Sequence, residues 1–346
     1  MSQVEILYVS SSGLTALSGG GWTRIASEAR EARKFGFSVR ILCFIPLQHI
    51  LLRPKFMAAA KASLEQNALS PVYFVPRLPL TRVAWISWLN DWFATFVILT
   101  FCLFYNIRII HCHGILLARL GFMAKRIKGN IKIVVDVHGA SVEEYMYEKR
   151  LAFPDRKAKI MEKQELQALK NADWIIFVSN AMRKYYEGKY NLLIQNSCII
   201  PCATKGNFKI DSKKRQALRT QYGINEKIVF CYVGSAESYQ LPEAMCRFFA
   251  EILSAFPNSF LLILSHHQEV FLNYLKASKI DSSHYKVLSV QHEDIFNLLQ
   301  MGDIGLLLRD NSIVNHVASP TKFAEYLICG LPVIITDFVG DYSEMV

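Results

Sequence analysis

Short apolar runs alternate with longer stretches of helical period along the whole chain. Runs at residues 6–10, 38–44, 72–76, 107–111, 131–137, 174–179 and 198–201 read as strands. The stretches between them, beginning with residues 22–35, read as helices. Strands separated in this way by helices predict a parallel sheet with crossover connections.

At residues 205–226 (KGNFKIDSKKRQALRTQYGINE) the pattern turns polar and basic, and DSKKRQALRTQYG predicts a capped surface helix. A second series then begins, with strands at 228–234, 260–265, 285–290, 304–308 and 333–336. Its clearest helices are at 241–255 and 294–301. The expected fold class is α/β: two doubly wound, Rossmann-like domains, 1–204 and 205–346, facing a central cleft outside the carboxyl ends of their strands. A second domain closed by a last strand and a terminal helix needs more residues than follow 336, so the sequence is expected to be incomplete at its C-terminus.

Residues 83–105, VAWISWLNDWFATFVILTFCLFY, have the length to span a bilayer. Asn90 and Asp91 near the middle make that costly, and a strand is expected directly afterwards. The preferred reading is a long apolar helix largely buried in its domain. The alternative rests on Trp85, Trp88 and Trp92, with Arg77 and Arg82 just before them, and is contact with a membrane interface.

Composition adds a direction to this frame. The chain has 346 residues, 52% hydrophobic and 20% charged, enough for two cores and without the signature of disorder. Thirty-nine Lys and Arg against 29 Asp and Glu give +10, which favours nucleic acid, acidic lipid or phosphorylated small molecules as partners. The basic run KKRQALR (213–219) reads as a solvated helix face, and with no recognised nucleic-acid module, nucleic acid is not expected as a partner. The eight cysteines are scattered and lack paired C-x-x-C spacing, so free thiols in a reducing cytoplasm are expected. The N-terminus MSQVEILYVSSS runs directly into a strand, and no secretory leader is expected.

The candidate chemistry begins at residues 319–334, SPTKFAEYLICGLPVI. Ser319 and Pro320 predict a helix start, with Ser as cap and Pro in first position, while Gly330 and Pro332 close it. Lys322 then stands beside the positive end of a helix dipole, where an acid is normally preferred. Either it is a solvated lysine, or an anion binds there, using the first-turn N–H groups and the ammonium together. Thr321, Lys322 and Glu325 share one side of that helix, and Arg309 follows the strand IGLLL. Gly234 and Ser235 end the strand of YVGS at the same edge. Lys322 and Arg309 suit a diphosphate, and Glu325 suits a ribose diol. There is no D-x-D sequence, so no metal is expected on the diphosphate and no cofactor is called for.

In the first half, the loop SSSGLTALSGGGW (10–22) offers Gly20 and Gly21 either as a flexible connector or for close approach to a ligand. His113 in IIHCHG and His138 in VVDVHGA stand at apparent strand ends, each followed by Gly. Each is expected at the cleft edge, as a structural or a functional histidine.

The segment ASPTKFAEYLICGLPVI resembles the donor-binding signature of GT-B glycosyltransferases, specifically the retaining family 4. The order of the Gly-rich loop, IIHCHG, VVDVHGA, ADWIIFVSNAM, IIPCA and YVGS is similar to that family over essentially the whole chain. The resemblance implies transfer of a sugar from a nucleotide-diphosphate donor with retained anomeric configuration and no metal. It implies that Glu325 binds the donor ribose, that His138 stands near the sugar and departing diphosphate, and that Gly20 and Gly21 lie near diphosphate or acceptor. His138, Lys322 and Arg309 are then the catalytic candidates. Gly234, Ser235, Ser319, Pro320, Thr321, Lys322 and Glu325 form the donor site, and Gly20, Gly21 and His113 the acceptor or diphosphate loop.

Two departures stand out: Val317 occupies the place of a second family glutamate, and GSAESYQLPE (234–243) lacks the cations that often follow the YVG strand. The expected acceptor is a glycan or lipid-linked sugar in cell-surface polysaccharide synthesis. The chain is expected in the cytoplasm, with peripheral contact to an anionic inner membrane face. The alternatives are a GT-B nucleotide-sugar epimerase and a degenerate, non-catalytic nucleotide binder.

Overall fold

Two compact units divide the chain between Pro201 and Cys202. The polar turn in composition sits slightly later, at Lys205, because the first unit closes with its last strand and not where the charge changes. The computed structural model describes residues 4–11, 20–78, 84–204, 208–290 and 294–346.

The first unit is built on β1 (Glu5–Ser11), β2 (Ser38–Pro46), β3 (Val72–Arg77), β4 (Ile109–His113), β5 (Lys132–Val137), β6 (Trp174–Phe177) and β7 (Ser197–Ile199). Their order is β3-β2-β1-β4-β5-β6-β7, and every pairing is parallel. The second unit holds β8 (Ile228–Val233), β9 (Ser259–Leu264), β10 (Tyr285–Leu288), β11 (Ile304–Leu307) and β12 (Val333–Ile335) in the order β10-β9-β8-β11-β12, again parallel. The strand order reverses direction between β1 and β4 in one sheet and between β8 and β11 in the other. Such reversals open a crevice at the carboxyl ends of the strands.

The apolar runs are continuous because both faces of each sheet are covered. In β8, Val229, Cys231 and Val233 pack with Phe323 and Tyr326 on one face, while Phe230 and Tyr232 pack with Met245 and Phe249 on the other. The strands occupy the predicted positions, with ends shifted by at most two residues. Asp211 caps the helix Ser212–Gln221 through the N–H groups of Lys213 and Lys214. All eight cysteines are free.

The helix Ala84–Phe104 differs from its expected buried state. One face packs inward through Ala94, Ile98 and Cys102, but only a third of its apolar window is buried, and the opposite face is open. The polar side chains are what turn inward. Asn90 exchanges hydrogen bonds with the backbone of Leu78, Asp91 accepts from Arg119 at 2.7 Å, and Thr95 Oγ1 donates to the Asp91 carbonyl. With its polar groups partnered inside, the helix presents aromatic residues outward.

Candidate active site

The helix Thr321–Ile328 is the element that positions the charged residues of the second unit. Tyr326 pins it to the sheet: its hydroxyl donates to the Leu306 carbonyl at 3.0 Å and accepts from the Val233 N–H at 3.1 Å. Its far end closes on Gly330 in the left-handed region (φ 66°), with Leu331 N–H bonded to the Tyr326 carbonyl and Gly330 N–H to that of Leu327. At the near end Pro320 occupies the cap, one residue later than the expected Ser319. Ser319 is engaged elsewhere, accepting from Cys202 N–H at 2.9 Å and lying 2.8 Å from the Tyr342 hydroxyl. The first turn thus has no side-chain cap.

Lys322 is in the second helical position and only 7% exposed. Its Nζ donates to Gln240 Oε1 at 2.5 Å and lies 4.2 Å from the centre of the Tyr232 ring. That excludes the solvated-lysine reading. Gln240 is itself locked, since Tyr232 Oη lies 2.7 Å from its Oε1 and its Nε2 donates to Ser235 Oγ at 2.7 Å. Arg309, 6% exposed, follows β11, and its backbone is tied to Thr336 by two 3.1 Å hydrogen bonds. Its guanidinium stands 5.0 Å from the centre of the Tyr239 ring, and its Nε lacks a hydrogen-bond partner. Burial, and then the neighbouring Arg309, push the Lys322 pKa well below its usual value, while Glu325 acts in the opposite direction. Burial likewise lowers that of Arg309. Glu325, on the same helix, is buried as well.

Two cations held together out of water are electrostatically costly unless an anion joins them. Gly234, with a φ of 141° and no side chain, leaves the space that the Lys322 ammonium occupies. Of the predicted site residues, Lys322, Ser235 and Gly234 meet around Gln240 in one network, and Arg309 acts on Lys322 through its charge. Gln240 and Tyr232 belong to it, Tyr239 faces the Arg309 guanidinium, and none of the three was anticipated. Gln240 and Tyr239 sit in the very segment whose lack of cations drew notice, where an amide and a ring do the holding.

The first unit brings a different group together. Arg24, from the helix Gly20–Lys34, grips both oxygens of Asp136 on β5 at 2.7 and 2.8 Å, and donates to the carbonyls of Ile200 and Pro201 at 2.9 and 3.2 Å. Glu28, one turn on, lies 3.0 Å from Arg24 Nε. His113 Nδ1 is 3.1 Å from Asp136 Oδ2, and the His111 and His113 rings stack at 4.5 Å with each Nε2 3.9 Å from Glu28 Oε2. His113 therefore lies in the interior beneath this helix and not at the expected open edge. The spacing of period two puts His111 and His113 on the same side of β4, toward Arg24 and Asp136.

Burial, reinforced by Asp136, raises the Glu28 pKa to about 7, against the pull of His113 and Arg24. Burial also acts to raise that of Asp136, but hydrogen bonds from His113 and Arg24 outweigh it and hold the carboxyl well below the usual range. Ligand-type atoms of Glu28, His111, His113 and Asp136 lie within 4.8 Å of one another. The Arg24 guanidinium is paired with both carboxylates of this cluster. His138 follows β5 and is exposed. Residues 12–19 of the Gly-rich loop and Arg82 lie outside the described residues. Gly20 and Gly21 open the first helix, and a β-carbon on Gly21 would meet nothing within 4 Å, so packing does not demand glycine there.

Two Rossmann-like units of parallel strands define a GT-B fold, and solved structures agree along nearly the entire chain. Anabaena HepE in complex with UDP-glucose superposes with a TM-score of 0.69 at 15% identity, covering 99% of this chain and 83% of that one. A glycosyltransferase from Rickettsia africae gives 0.66 at 14% identity, covering 98% and 81%. WaaG, a glycosyltransferase involved in lipopolysaccharide biosynthesis, gives 0.64 at 13%, covering 98% and 84%. A search of curated proteins finds no match. The family model for Glycosyltransferase Family 4 matches residues 18–204, more than half of the chain, and the chain belongs to that family.

Proposed function

We propose that this glycosyltransferase moves a sugar from a nucleotide-diphosphate donor to a glycan or lipid-linked acceptor, with retention of configuration, in the synthesis of cell-surface polysaccharide. The observation that carries the reading is the burial of Lys322 and Arg309 together, held by an amide and two aromatic rings. A diphosphate supplies negative charge beyond that of Glu325, and the uncapped first turn of the helix adds N–H donors to it.

In this reading the leaving diphosphate gains charge as the glycosidic bond breaks, and Lys322 and Arg309 stabilise it without a metal. Glu325 receives the ribose hydroxyls. Ser319, Pro320 and Thr321 shape the phosphate end, Gly234 and Ser235 the opposite wall, and His138 serves the sugar side. Gly20 and Gly21 leave backbone room for diphosphate or acceptor. Because HepE is seen with UDP-glucose, that donor is the first to try.

Removing one such charge costs about 2–4 kcal/mol in the transition state, or roughly 30- to 1,000-fold in rate. Lys322→Ala should show that loss in a sugar-transfer assay, and a chelator should leave the parent enzyme's rate unchanged. Transfer by Lys322→Ala at the parental rate would remove the assignment.

A further inference from the structure

The open face of the helix Ala84–Phe104 is an exposed apolar surface that the proposed reaction does not use. Trp85, Trp88, Leu89, Trp92, Phe93, Phe96, Leu103 and Phe104 are all exposed, and Trp85, Trp88 and Phe96 between 60% and 64% so. At 100° per residue, positions 85, 88, 89, 92, 96 and 103 fall in one stripe about 30 Å long, following the axial rise of the helix. The stripe contains no charged residue.

A surface helix normally shows its polar side to water. This one hides Asn90, Asp91 and Thr95 and shows tryptophan and phenylalanine. Ile127, 60% exposed at the end of the neighbouring helix Ala118–Ile127, extends the patch, since Lys128 Nζ donates to the Cys102 carbonyl and ties the two helix ends together. Exposed Arg108 and Arg126 flank that end.

We infer that this face docks on the surface of an anionic phospholipid bilayer, with the helix lying in the plane of the interface. Three tryptophans on one stripe are the residue type that prefers the boundary between acyl chains and headgroups. The flanking arginines and the +10 net charge supply the attraction to acidic lipid. The helix does not span: Ala94, Ile98 and Cys102 anchor it in the protein core, and it is the crossover between β3 and β4 of one sheet. The inference stands on this surface alone and is independent of the donor assignment. It also locates the chain, placing it on whichever membrane face bears acidic lipid.

Vesicle flotation tests it, using the whole chain with vesicles of equal parts phosphatidylglycerol and phosphatidylcholine, and with phosphatidylcholine alone. The chain should float with the acidic vesicles, and 6,7-dibrominated lipid should quench the fluorescence of Trp85, Trp88 and Trp92. The triple variant W88S/W92S/F96S, altered only at exposed positions, should lose at least tenfold in vesicle affinity while keeping its circular dichroism and its response to nucleoside diphosphate. Equal binding by the triple variant, or no binding to acidic vesicles, would overturn the proposal. So would a wild-type dimer that the triple variant dissolves, since the face would then meet a second protein. Retention in the bilayer at alkaline pH would make the helix a span and overturn surface docking.

Discussion

Gly234 and Lys322 share a space that admits only one side chain: a β-carbon at Gly234 would stand 2.8 Å from Lys322 Nζ and 3.0 Å from Gln240 Oε1. The backbone there has φ 141°, which an L side chain rarely adopts. Gly234→Ala should therefore push the ammonium off Gln240 and weaken nucleoside diphosphate binding by about tenfold or more, the equivalent of 1.4 kcal/mol. Calorimetry with UDP reads the change. If the glycine acts through the lysine, the Gly234→Ala, Lys322→Ala double variant should bind no worse than Lys322→Ala. Additive losses would show that the glycine acts separately.

Burying Lys322 beside Arg309 should destabilise the empty protein. Lys322→Met keeps the length and removes the charge, so its melting temperature without nucleotide should exceed the parent's. The folded pKa of Lys322 is depressed, so the stability linked to it is present above its unfolded value near 10.5 and is lost as pH falls through the folded value. The advantage of Lys322→Met should accordingly shrink as pH rises toward 10.5. Nucleoside diphosphate should raise the melting temperature of the parent by more than that of the variant. A variant less stable than the parent at neutral pH would contradict the account of this charge.

Glu28 gives a second pH signature, in the first unit. Its folded pKa of about 7 lies above the ordinary 4.5, so the folded state keeps a proton that the unfolded chain has released. The corresponding stability is complete below 4.5 and is lost as pH rises to about 7. Glu28→Gln does not titrate. Its melting temperature relative to the parent should climb between pH 4.5 and 7 and level off above. A difference that stays flat across that window would show that Glu28 titrates normally.

The strands were legible because each is a short apolar run between turn residues, and in a sheet covered on both faces nothing breaks the run. The pairing of Lys322 with Arg309 was legible as a likeness of charge at two strand and helix ends. Gln240 was not, since an amide 82 residues away in sequence carries no pattern that points to a lysine. The orientation of the helix Ala84–Phe104 was hidden for a related reason. Asn90 and Asp91 read only as a cost to spanning a bilayer, and nothing in the sequence pairs them with Leu78 and Arg119, the partners that turn them inward. His113 lay in the right strand, but its burial depends on Arg24 and Glu28, which a helix brings over it.

The most direct measurement is a crystal structure of the chain with UDP-glucose. The account predicts diphosphate oxygens within hydrogen-bond distance of Lys322 Nζ and the Arg309 guanidinium, at the first turn of the helix Thr321–Ile328, with the ribose on Glu325. A nucleotide bound with its phosphates away from both cations, Lys322 still held by Gln240 alone, would contradict it.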